Sequence, residues 1–167
     1  NTIFFYVNGV QKGSVAFTGN IGTGSGTYIG SETGQGAYLN GYISNVRVVN
    51  GTALYNSNFT PSTIPLQYIA NTSLLTCQSS SFVDGSLNTY TITVTNATNS
   101  TTIPFTYSTS GLFNGTTDYL DVGSTSYNLT GAFTVECWFY TTSKNDQMIF
   151  DTRGSGNDGY YLTVLIQ

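Results

Sequence analysis

Apolar and polar positions alternate along this chain in short runs, each broken by Gly, Asn, Ser or Pro. A period of two puts successive side chains on opposite faces of extended backbone, so the pattern predicts half-buried β-strands joined by turns. "TIFFYVNGVQKG" sets Asn8-Gly9 between two apolar runs. That dipeptide predicts a tight hairpin, because both turn residues must accept φ > 0. Residues 27–29 form a further short strand between glycine turns. In "GYISNVRVVN" the apolar positions Ile43, Val46 and Val48 change phase between 43 and 46. One inserted residue resets a period of two, so a β-bulge is expected there.

Residues 56–73, "NSNFTPSTIPLQYIANTS", contain Pro61 and Pro65 and keep no period, as an exit segment or linker would. "SLLTCQ" opens a new strand. "NTYTITVTN" sets Tyr90, Ile92 and Val94 against Thr91, Thr93 and Thr95. "ATNSTT" reads as a polar turn, and "GLFNGTTDYLDVG" as a hairpin bent at Asn114-Gly115. "AFTVECWFYTT" is the most apolar strand, and "GYYLTVLIQ" is the last. Short strands with turn signals between them predict an all-β antiparallel sandwich.

Composition agrees. The chain has 28 Thr, 18 Ser and 16 Asn but only 6 Ala and 2 Glu, so helix formers are scarce. Charged residues are 7% of the chain, and the net charge is −4. Lys12, Arg47, Lys144 and Arg153 are the only cations, too few to neutralise a row of phosphates, which argues against nucleic acid. No apolar run is long enough for a transmembrane helix, so membrane insertion is not expected. Opening at Asn1 without Met, the sequence reads as an excerpt or a processed product. Cys77 and Cys137 are far apart and each lies inside an apolar strand pattern, which favours two buried thiols over a disulfide. With no His, a zinc site of the usual type lacks ligands.

Two stretches carry a family resemblance. "FNGTTDYLDV…FTVECWFY" resembles the start of a laminin-G-like, concanavalin A-type jelly-roll domain, with its aromatic-x-Gly-x-x-Asp-Tyr hairpin and aromatic-Thr-x-Glu-x-Trp strand. "FFYVNGVQKG…YIG…YLNGYISNVRVVNGTALYNSNFTP" resembles the second half of the same domain. The two halves stand in swapped order, and the Trp/His-containing strand that leads into "YVNGV" in the family is absent. The resemblance therefore implies tandem domains cut mid-repeat. Residues 1–68 would be the C-terminal half of one sandwich plus its exit linker, and residues 69–167 the N-terminal half of the next. The alternative is one permuted sandwich closed from both halves. The phrases "GYISNVRVVNGTALY" and "TSLLTCQ" also resemble those of tandem arrays in phage virion appendages and bacterial surface proteins.

Candidate sites follow. In "FTVECWFY", period two puts Phe133, Val135, Cys137 and Phe139 on one face, and Thr134, Glu136, Trp138 and Tyr140 on the other. Glu136, Trp138 and Tyr140 could form a sugar platform, with aromatic faces under pyranose rings and a carboxylate accepting from hydroxyls. The competing reading is a central strand with Trp138 packed under a loop. The resemblance implies calcium as the usual cofactor, with Asp118, Asp121, Asp151 and Asp158 as candidate ligands. Asp in Gly-rich turns equally serves as a turn residue.

Catalysis is not expected. The glucanases of this fold carry a Glu-x-Asp-x-x-Glu motif, whereas Glu136 stands alone with Trp138 where the second carboxylate would be. Asn-x-Ser/Thr sequons occur at Asn50, Asn58, Asn71, Asn96, Asn99, Asn114 and Asn128. The expectation is a non-enzymatic module on a cell or virion surface, part of a longer multidomain chain or oligomer. It would bind a glycan or surface polymer. The alternative is a structural spacer or filament subunit that binds copies of itself.

Overall fold

A computed structural model describes residues 1–19, 21, 26–32, 36–106, 108–123, 129, 131–153 and 163–166, and of 163–165 only the backbone. The described residues form twelve strands and no helix. In chain order the strands are β1 (Thr2–Val7), β2 (Val10–Ala16), β3 (Tyr28–Ile29), β4 (Asn40–Asn50), β5 (Thr72–Thr76) and β6 (Thr93–Thr95). They continue with β7 (Thr98–Ser100), β8 (Ser110–Asn114), β9 (Tyr119–Asp121), β10 (Phe133–Thr141), β11 (Gln147–Asp151) and β12 (Thr163–Ile166). One five-stranded sheet runs β10-β4-β8-β7, with β5 also paired to β4, and the other runs β12-β11-β3-β9-β6. β1 and β2 form a separate hairpin. All pairings between these strands are antiparallel.

The core lies between the two five-stranded sheets. Ile43, Val46, Val48, Leu74 and Phe113 from one sheet meet Ile29, Leu120, Ile149 and Phe150 from the other in one buried cluster. This is the antiparallel β-sandwich that the alternation predicts. Segments 1–68 and 69–167 interleave within it. β4 sits between β10 and β8, and β3 sits between β11 and β9, so each sheet draws an interior strand from the first segment.

Three turn expectations resolve differently. Asn8 and Gly9 have φ of 51° and 74°, and they join β1 to β2 as the hairpin signal requires. Asn114-Gly115 does not make a hairpin, because β8 and β9 lie in different sheets. The Asn114 side-chain oxygen accepts from the Thr116 and Thr117 amides at 2.8 and 2.9 Å, making a corner that carries the chain from one sheet to the other. "ATNSTT", read as a turn, supplies β7, which pairs with the outer edge of β8.

The expected bulge is present. Glu136 faces Arg47 and Trp138 faces Ser44, so β4 spends three residues where β10 spends two. The extra residue is Asn45, at φ 56° and fully buried. Asn is among the few residues that tolerate this region. Its amide donates to the Cys77 carbonyl (3.0 Å), and its side-chain oxygen accepts from the Leu66 amide (2.8 Å). The aperiodic stretch 56–73 is thereby pinned across the sheet at Leu66, while its last residues, Thr72 and Ser73, already belong to β5.

Candidate functional site

The bulge leaves one row of β10 intact on the face turned away from the core. Phe133, Val135 and Cys137 pack against the core cluster, and Thr134, Glu136, Trp138 and Tyr140 take the opposite face. Among the described strands, β10 lies at the edge of its sheet. The outer row is covered at one end and open at the other.

At the covered end lies a polar clamp. The Arg47 Nε and Nη2 donate to Glu136 Oε1 at 2.8 and 2.6 Å, and Arg47 Nη1 donates to the Gln67 carbonyl at 2.8 Å. The Tyr55 hydroxyl donates to Glu136 Oε2 at 2.9 Å. Burial, together with the neighbouring Glu136 carboxylate, pushes the Tyr55 phenol up to about 12. Tyr55 also stacks on Phe59, with centroids 3.6 Å apart. Both Glu136 oxygens are thus engaged by protein donors. Glu136 shares the face of Trp138 and Tyr140, and there it frames the sheet beneath the exit segment.

At the open end, Tyr42 of β4 faces Tyr140 of β10 directly across the strands, with ring centroids 6.0 Å apart at 33°. Trp138 stands beside them, held edge-on by Phe105 at 4.8 Å and 74°. The segment 102–105 overhangs the sheet, and together these walls enclose a groove of about 280 Å³. Ser44 and Ser110 add polar atoms to its floor. Tyr140 is 57% exposed, so its ring is available at the mouth. Tyr42, Ser44, Ile103, Pro104, Phe105 and Ser110 could not be assigned from sequence, because their convergence depends on the register between β4, β8 and β10. The one local signal is the alternation of Tyr42 with Ile43.

The acidic candidates are scattered. Asp118 is buried and accepts from the Asn114 amide (3.0 Å) and the Thr117 hydroxyl (3.0 Å). Asp121 accepts from the Gly123 amide at 2.9 Å. Asp151, fully buried, pairs with Arg153, which also reaches Glu32. Asp158 lies outside the described residues. Calcium requires six to eight oxygens around one point. Among the described residues no three His, Cys, Asp or Glu side chains are grouped to hold a metal, and Asp118, Asp121 and Asp151 are each engaged by donors of the protein itself.

Of the sequons, Asn58, Asn71, Asn96, Asn99 and Asn114 are exposed and Asn50 is half-buried, while Asn128 lies outside the described residues. Cys77 and Cys137 are free thiols, and burial holds each up to about 12. No helix among the described residues is long and apolar enough to cross a membrane.

Taken together, these features define an all-β sandwich carrying an aromatic groove on one outer sheet face. Residues 1–58 match the profile of the concanavalin A-like lectin/glucanases superfamily, which supports the laminin-G-like resemblance over that span. No curated protein and no solved structure matches the chain.

Proposed function

We propose that this chain is a non-catalytic carbohydrate-binding module of an extracellular or virion surface, and that it holds a pyranose ring against Tyr42 and Tyr140. The observation that carries this reading is the cross-strand tyrosine pair at the open end of the groove, with Trp138 as a fixed wall. The C–H face of a sugar is apolar and its rim is polar. Aromatic rings with hydroxyls beside them complement both. Charge is not needed for such a ligand, which suits a chain with four cations. The superfamily to which residues 1–58 are matched includes lectins by its own description. Its glucanases need paired carboxylates, whereas the groove lining holds none. Attachment to a host or partner surface is the role we assign to such binding.

The test is a glycan array followed by calorimetry. Selective retention of a sugar at low millimolar Kd or better, weakened about tenfold in Tyr140→Ala with an unchanged Tm, supports the reading. Indifference to every glycan rejects it.

A second reading has its own observation. The β1–β2 hairpin exposes Phe4, Phe5, Val7, Val10 and Val15, each 38–49% accessible. An apolar two-stranded ribbon with open edges suits self-association in a filament or shell. Concentration-dependent assembly abolished by Phe5→Ser, in a chain that ignores glycans, would establish that role.

A further inference from the structure

Tyr42 bounds the groove on β4. One step further along β4, a second concavity of about 150 Å³ opens, bounded by Tyr38, Asn40, Ser143, Asn145, Asp146 and Gln147. Building on the carbohydrate reading above, we propose that this cup is a second sugar subsite, so that the face reads a neutral oligosaccharide at least two rings long.

Position is the first argument. Asn40, Tyr42 and Ser44 alternate with the buried Ile43 and so share one face of β4. Two residues of strand advance about 6.7 Å, so Asn40 on the floor of the cup lies next to the position of a ring stacked on Tyr42. A ring stacked on Tyr42 and Tyr140 thus has its neighbour delivered to the cup.

Chemistry is the second argument. The floor of the cup is already saturated and fixed. Gln147, 1% exposed, accepts from the Asn40 amide at 2.8 Å, and the Thr141 hydroxyl donates to the Asn40 carbonyl at 2.7 Å. This links the residue after Tyr140 to the floor. The rim is the opposite. Among the described residues, the Asp146 carboxylate, the Asn145 amide group and the Tyr38 hydroxyl have no hydrogen-bond partner. A carboxylate accepts from two neighbouring hydroxyls, while an amide and a phenol both donate and accept. That set is matched by the vicinal hydroxyls of a neutral sugar. It disfavours uronic or sulfated rings, whose charge Asp146 would repel. A volume of this size holds a few waters when vacant. A ring that replaces their hydrogen bonds displaces them without net loss.

The test pairs sugars by length. Calorimetry with glucose, galactose and mannose is compared with cellobiose, laminaribiose, lactose and β-1,4-mannobiose. For the sugar that binds, the disaccharide should bind about tenfold more tightly than its monosaccharide, the effect of one hydrogen bond to a charged group at the low end of its range. Asp146→Ala, in an exposed turn, should remove that increment, leave monosaccharide affinity and Tm unchanged, and so isolate the cup. If monosaccharides bind in a Tyr140-dependent way but no disaccharide binds tighter, or if Asp146→Ala changes nothing, the second subsite is overturned and the stacking site survives. If neither this panel nor any glycan of the array binds, the carbohydrate reading falls and the subsite with it.

Discussion

Glu136 and Arg47 face each other across β10 and β4, and their ion pair is closed on the solvent side by Tyr55. Their side chains are only 14% and 8% accessible. A pair this buried gains little over an apolar substitute, but removing one partner strands the other charge. Its second effect is architectural. Arg47 also reaches the Gln67 carbonyl, and the Leu54 amide donates to Thr134 Oγ1, so the clamp ties segment 51–67 onto the sheet. That covering is what confines the open groove to Tyr42, Trp138 and Tyr140.

Glu136→Ala should therefore cost about 3 kcal/mol of stability, at the lower end for a broken buried pair. Arg47→Met combined with Glu136→Leu should recover much of it. Glycan affinity measured below the melting transition should stay unchanged in both. Chemical denaturation and calorimetry supply the two readouts. A selective loss of binding in Glu136→Ala with full stability would make Glu136 a ligand contact instead of a clamp.

The two thiols predict an alkaline limit. Burial raises both from about 9 to about 12. An unfolded chain ionises them near the ordinary value, so between those limits the unfolded state holds fewer protons. Stability from this source is complete below pH 9 and falls as pH rises toward 12. Native protein at pH 8 should resist a thiol-specific disulfide reagent, and guanidinium should expose two equivalents. Rapid labelling of folded protein would contradict the burial of Cys77 and the packing of the partly buried Cys137 against the core.

What could be read from sequence followed from local rules. The Asn8-Gly9 hairpin, the alternation of β10 and the bulge at residues 43–46 each have a period or a dipeptide as their signature. Tyr140 and Trp138 could be nominated for the same reason. Tyr42, Phe105 and the cup around Asp146 could not. They converge through β4–β8 and β4–β10 pairings of long sequence separation, which no local pattern encodes. The Asn114-Gly115 corner misled for a related reason, since an Asx turn between sheets and a hairpin turn within one draw on the same residues. Glu136 was placed on the correct face, but its partners Arg47 and Tyr55 sit 89 and 81 positions away.

Gly30 tests the packing between the sheets. Its φ is 83°, and a Cβ there would lie 2.5 Å from the Phe113 ring, which is fully buried. Gly30→Ala adds left-handed strain of about 1–2 kcal/mol to an overpacking cost of about 1–3 kcal/mol. Gly36, also at positive φ but with nothing near its Cβ, should lose only the backbone part on substitution by Ala. Equal losses at the two positions, by denaturant titration, would mean that Phe113 can move aside.

The interleaving of segments 1–68 and 69–167 makes the sharpest claim about folding. β3 and β4 both come from the first segment, and each is an interior strand of its sheet. Without them, β10 and β8 lose their shared neighbour, as do β11 and β9, and the core cluster that holds Phe113 and Phe150 loses Ile43 and Ile29. Residues 69–167 expressed alone should therefore show no cooperative melting and should bind a hydrophobic dye. Adding residues 1–68 should restore a 1:1 complex with a cooperative transition, because the two pieces carry complementary strands and one core. If residues 69–167 instead melt cooperatively alone, they own a complete core. The strand order β10-β4-β8 would then not be what holds this sandwich together.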